Sequence, residues 1–202
     1  MELTIDLYNK VLDAWACAAL FGTVPQTETA TQRAREILVM LQENYEQVHK
    51  RHDDAEALKP NAESFNLVFH AVIKTENVLV ARRLLAWMEY LHKSGKNADA
   101  KPSRSHYIQT LDAYAKAETP QSGVLAEAFL RHLRYQDNLN LPDTLCYNIA
   151  IKAWSRQPRR GREAAEHADR ILEEMKAEAS DHCRPDVVTY GCKYSSQGAL
   201  KQ

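Results

Sequence analysis

The residues of this chain that could do covalent chemistry are few, and most fail on spacing. His182-Cys183 with Cys192 offers imidazole and thiol ligands, but without the paired spacing that a zinc site requires. Glu173-Glu174 is a carboxylate pair that reads as the solvated face of a helix. No Gly-rich phosphate loop, nucleophile elbow or H-E-x-x-H stretch occurs, nor an H-x-E with P-C-x-x-C of the zinc deaminases. The expectation is a non-enzymatic protein with no cofactor and no metal. What remains is hydrogen bonding and charge. Arg156, Arg159, Arg160 and Arg162 form the densest basic cluster, able to grip phosphate or to sit in a solvated turn. Short polar side chains follow prolines in Lys59-Pro60-Asn61, Lys101-Pro102-Ser103, Leu141-Pro142-Asp143 and Arg184-Pro185-Asp186, where they can accept from the free amides that open a helix.

The prolines recur because the chain is a tandem repeat. An Ala-x-x-Φ-Leu-x-x-(Leu/Met) signature occurs four times, with leading alanines Ala34, Ala81, Ala126 and Ala168 spaced by 47, 45 and 42 residues. Ahead of each copy stands an aromatic followed six places later by alanine: Tyr8 to Ala14, Phe65 to Ala71, Tyr107 to Ala113 and Tyr147 to Ala153. In the second of these blocks Phe65, Val68, Phe69, Val72 and Ile73 trace a helical stripe, and each alanine signature traces another. Both segments are therefore expected to be amphipathic helices, A then B. Breaker clusters at Phe21 to Pro25, Thr119 to Gly123 and Gln157 to Gly161 should end the A helices and make each pair a hairpin. The small alanines let two helix axes approach closely. One hairpin cannot bury its apolar face alone, so hairpins stack. The expected fold is all-α, an α-α superhelix or helical-hairpin solenoid in one domain over 1–202. Its repeats run over about 5–61, 62–103, 104–143 and 144–186, with the start of a fifth over 187–202.

Charge and cysteines narrow the setting. The 26 Lys plus Arg against 27 Asp plus Glu leave a formal net charge of -1, so no global field draws the chain onto nucleic acid and any such contact must be local. Four cysteines without a C-x-x-C pair read as reduced thiols of an intracellular protein. No apolar run is long enough to cross a bilayer, so no membrane partner is expected. Met1-Glu2-Leu3-Thr4 leads straight into the first repeat with no Arg-rich presequence, which fits either a cytosolic protein or a fragment whose leader lies upstream, and Lys193, Ser195, Ser196 and Gln197 interrupt the stripe of the fifth, the pattern of an array cut short.

Leu41, Met88, Leu133 and Met175 stand seven places after the B-helix alanines, where tetratricopeptide repeats tend to place a second small residue. Pro142-Asp143-Thr144-Leu145-Cys146-Tyr147-Asn148 and Pro185-Asp186-Val187-Val188-Thr189-Tyr190 also lead into an aromatic five places after the proline, as Pro60 to Phe65 and Pro102 to Tyr107 do. In these features nearly the whole chain resembles the pentatricopeptide repeat family, in a divergent form with long repeats. Aromatic spacings of 57, 42, 40 and 43 exceed that family's period of about 35, and the extra residues are assigned to loops at Phe21 to Thr31, Tyr45 to Leu58 and His92 to Ala100.

The resemblance implies single-stranded RNA as partner, one base per repeat, in mitochondrion or plastid, by a monomer serving RNA processing, stability or translation. It pairs the residue after each aromatic with the residue after the closing proline as base readers: Asn9 with Asn61, Asn66 with Ser103, Ile108 with Asp143, and Asn148 with Asp186. The Asn pairs lean to pyrimidines and Ile108 can form no such bond, giving a site of the type Y-C-N-U. Lys74, Lys116 and Arg156, eight places after the readers, are the implied phosphate contacts, with Cys17 in that place in the first repeat. Leu145 and Val188 match the family's base-sandwiching position, which Asp6, Glu63 and Ser105 occupy elsewhere. The rival reading is a tetratricopeptide-like scaffold that binds other proteins and no RNA.

Overall fold

The computed structural model describes residues 4–22, 24–49, 58–75, 78–117, 119–135, 142–157, 161–178 and 182–198. Within them the chain is helical and holds no strand: α1 (Ile5–Phe21), α2 (Val24–His49), α3 (Ala62–Lys74), α4 (Val78–Lys93), α5 (Arg104–Lys116), α6 (Ser122–Leu133), α7 (Thr144–Ser155), α8 (Gly161–Ala177) and α9 (Val187–Gly198). It divides into two compact units, Met1–Pro102 with α1 to α4 and Ser103–Gln202 with α5 to α9.

In the first unit α1 packs on both α2 and α3, and α3 on α4. The repeat signature is what faces inward: Ala34, Leu38 and Leu41 of α2 and Ala81, Leu85 and Met88 of α4 are buried, together with Phe65, Val68 and Val72 of α3. In the second unit α7 is the central helix and packs against α5, α6, α8 and α9. Ala126, Leu130 and Leu133 of α6 and Ala168, Leu172 and Met175 of α8 are buried in the same phase, around Tyr147 and Trp154. All four leading alanines are fully buried, as expected of small residues at close helix crossings.

The post-proline residues cap helices as their chemistry predicts. Asn61 accepts from the Ser64 N–H at 3.0 Å, Asp143 from the Cys146 N–H at 2.9 Å and Asp186 from the Thr189 N–H at 2.8 Å. Before α5 the bond runs the other way: the Ser103 N–H donates to Nδ1 of His106 at 3.0 Å. Burial holds His106 neutral, lowering its pKa from 6.5 to about 4.

Two expectations about punctuation are corrected. Helix α2 begins at Val24 and runs for 26 residues, so most of the assigned loop from Phe21 to Thr31 is helix, and so is Tyr45 to His49. Pro25 falls in the first turn, where a missing N–H leaves no helical bond unmade. Ser122 and Gly123, read as part of a breaker, instead open α6. Gly123 is there for space: a β-carbon on it would lie 2.5 Å from the Trp154 ring. Thr23, Pro158, Arg159 and Arg160, residues 50 to 57 of the assigned loop, and the side chains of Lys193 to Gln197 lie outside the described residues. The assigned loop from His92 to Ala100 starts inside α4, which ends at Lys93, turns at Gly95 with φ 71°, and closes in a short 3-10 turn, Ala98–Ala100. Asn97 anchors it, donating to Gln42 Oε1 at 2.8 Å and to the Pro60 carbonyl at 2.9 Å.

Candidate nucleic-acid interface

Two of the four reader pairs are joined by hydrogen bonds. On α7, Asn148 is buried and its Nδ2 donates to Asp186 Oδ1, just ahead of α9, at 3.2 Å. Asp186 Oδ1 also accepts from the Thr189 N–H and hydroxyl, each at 2.8 Å. These donors, the Thr189 N–H foremost, hold the Asp186 carboxyl below its usual pKa against the opposing effect of burial, so it is an anion. The other end of the amide is unpaired: Asn148 Oδ1 is buried and has no hydrogen-bond partner. Leu145, nearly one turn back on α7, is 49% exposed, and Val188 at the start of α9 is 58% exposed. An acceptor with exposed apolar side chains on neighbouring positions is suited to a flat, donor-bearing group.

The first-repeat pair has the same skeleton with a different finish. Asn9 of α1 donates from Nδ2 to Asn61 Oδ1 at 3.2 Å and to Glu63 Oε2 at 3.1 Å. Its Oδ1 accepts from the Ser64 hydroxyl at 2.6 Å. Asn9 is 4% exposed and saturated.

The remaining pairs differ again. Asn66 is exposed on α3 of the first unit, and Ser103 is exposed at the start of the second. Ile108 is half-buried on α5. Asp143 is committed on both oxygens, one capping α7 through the Cys146 N–H and the other in an ion pair with Arg104.

The three implied phosphate contacts all stand at A-helix C-termini and are exposed. There a cation also complements the helix dipole. Lys116 is matched by Asp112 at 2.5 Å, one turn earlier, and Arg156 reaches the Ala115 carbonyl at 3.4 Å. The i+4 spacing also puts Lys152 on the Asn148 side of α7, exposed and one turn on. Its signal was in the sequence, but the eight-place rule passes over it.

Sequence reading missed the second unit's polar centre. Glu127 of α6 is 3% exposed and accepts from Trp154 Nε1 at 3.0 Å, from Arg131 at 2.5 Å and from Arg170 at 2.5 Å. His167 Nδ1 lies 2.7 Å from Oε2, the oxygen that takes the indole, and the imidazole stacks on Trp154 with ring centroids 3.9 Å apart. Burial pushes the Glu127 carboxyl up, but the bonds from Arg170 and His167 outweigh it and hold the pKa below its ordinary value. A second polar knot joins Arg134 to the Tyr147 hydroxyl at 2.9 Å and to Glu174 at 3.0 Å, while Tyr147 donates to Glu178. Of the thiols considered as metal ligands, Cys183 is buried and donates to the Pro142 carbonyl at 3.1 Å. Among the described residues no group of three or more His, Cys, Asp or Glu is placed to hold a metal ion, and no helix is long and apolar enough to cross a membrane.

Compared with known proteins, the chain matches no family model and no curated protein.

Proposed function

We propose that this chain is a sequence-selective single-stranded RNA-binding repeat protein, a helical-hairpin solenoid of pentatricopeptide type acting on organelle RNA. The observation that carries the reading is the Asn148–Asp186 junction. Its amide carbonyl is buried without a partner, its carboxylate fixes the amide's orientation, and Leu145 and Val188 are exposed on either element. A buried acceptor left unmade costs about 1–3 kcal/mol, which a ligand N–H would recover. The Watson–Crick edge of an unstacked base supplies such a donor on a planar ring. Lys152 on α7 and Arg156 at its C-cap follow at one and two turns, suited to the phosphates on either side of that base.

The test is fluorescence anisotropy on short oligo(U), oligo(C) and oligo(A) RNAs, titrated with salt. Affinity for the pyrimidine probes that falls with salt, and weakens about fivefold in Asn148→Ala, is expected. No binding at low salt would sink the proposal.

One observation favours the protein-scaffold reading. Between α2 and α4 runs a groove of about 410 Å³ whose apolar lining includes Val39, Val80, Trp87 and Tyr90, with charges of both signs, among them Arg35, Arg83, Glu43 and Glu46. Val39 and Tyr90 are 40% and 53% exposed, an apolar surface suited to the apolar face of a partner's amphipathic helix. Absence of RNA binding together with capture of such a peptide would decide for it.

A further inference from the structure

The junctions at Asn9 and Asn148 share a skeleton and differ in whether a hydroxyl reaches the amide oxygen. In each, the amide after the aromatic donates to the post-proline oxygen at 3.2 Å, and that oxygen caps the next helix. In each, a hydroxyl stands three places after the cap and accepts from the cap residue's own N–H: Ser64 from Asn61 at 3.3 Å, Thr189 from Asp186 at 3.0 Å. A hydroxyl has one proton left to give. Thr189 donates to the Asp186 carboxylate oxygen at 2.8 Å, and no donor stands within hydrogen-bond reach of Asn148 Oδ1. Ser64 stands 3.1 Å from Asn61 Oδ1 but 2.6 Å from Asn9 Oδ1, so its proton closes Asn9.

We infer that Ser64 locks Asn9 into a structural clasp between α1 and α3, so that Asn9 reads no base. The inference rests on the RNA-binding reading for its functional consequence, though the clasp itself does not. With both amide hydrogens donated, to Asn61 and Glu63, and its oxygen taken by Ser64, Asn9 has no donor to offer and is almost wholly covered. The Glu63 carboxylate beside it would also repel a phosphate.

The experiment uses the full chain with oligo(U) and oligo(C) probes and four variants: Asn9→Ala, Ser64→Ala, the double Asn9→Ala/Ser64→Ala, and Asn148→Ala. Asn148→Ala should weaken binding about fivefold, whereas Asn9→Ala should leave it within about twofold. Ser64→Ala should tighten binding, and lose that gain when Asn9→Ala is added, because the freed carbonyl is its source. Asn9→Ala weakening affinity as much as Asn148→Ala in a chain that melts normally would overturn the inference. Thermal melting of the same set tests the clasp with no RNA present. Each first-unit single variant should lower Tm by about 2–4 °C and the double by less than the sum, because the two side chains share one bond. Additive shifts would overturn the clasp. A wild-type chain that binds no probe but shows the coupling would refute the RNA reading alone.

Discussion

Gly123 lies under the indole of Trp154 so closely that a β-carbon on it would meet three ring atoms at 2.5 to 2.9 Å. Neither partner can yield easily, since Gly123 is in the first turn of α6 and Trp154 is fully buried with its Nε1 bonded to Glu127. Gly123→Ala should therefore destabilise the protein by about 1–3 kcal/mol, although alanine is the better helix former. Urea unfolding measures this, and a more stable variant would show that the ring has room to move.

Removing the Glu127 carboxylate leaves Trp154 Nε1 without an acceptor in the core and Arg131 and Arg170 unneutralised. Both arginines are about half exposed, so water recovers much of their loss. Glu127→Ala should cost roughly 1–3 kcal/mol in urea unfolding, and Glu127→Gln less, because the amide oxygen still accepts from the indole.

His106 gives stability a pH dependence. Its folded pKa of about 4 lies below the model-peptide value of 6.5, so the unfolded chain binds the proton more readily. The contribution is present in full above pH 6.5 and is lost as pH falls toward 4. His106→Asn, which keeps an acceptor for the Ser103 N–H, should flatten the Tm-against-pH profile over that window. An unchanged slope would place the titration elsewhere.

On the RNA reading, Lys74→Ala should weaken all probes alike and reduce the slope of log K against log salt by about 1. Lys116→Ala should do less, since Asp112 at 2.5 Å already offsets that charge. Equal effects of the two would indicate that the aspartate turns away when RNA binds.

The helices and their buried faces were legible because they rest on local periodicity: Ala34, Ala81, Ala126 and Ala168 mark the close crossings, and Asn61 and Asp143 the helix starts. Punctuation was less so. Pro25 and Gly123 are breakers by composition, but a proline in a first turn breaks nothing, and a glycine under an indole answers a residue 31 places away. Glu127, His167 and Arg170 could not be foreseen as one cluster, because nothing in their separate spacings says that α6 and α8 present them to the same tryptophan. Sequence register paired Asn9 with Asn61 and Asn148 with Asp186, which are joined by hydrogen bonds, yet whether a hydroxyl also reaches the amide oxygen depends on side-chain placement that sequence pattern does not reach.

The Glu127 hub bears on how the second unit could be engineered. A carboxylate on α6 answers an indole on α7 and a guanidinium on α8, so it bridges the boundary at residues 143 and 144 that the sequence period marks as a seam. Cassettes exchanged at that seam would arrive without their acceptor. A graft that respects the chemistry would carry α6 through α8 as one piece.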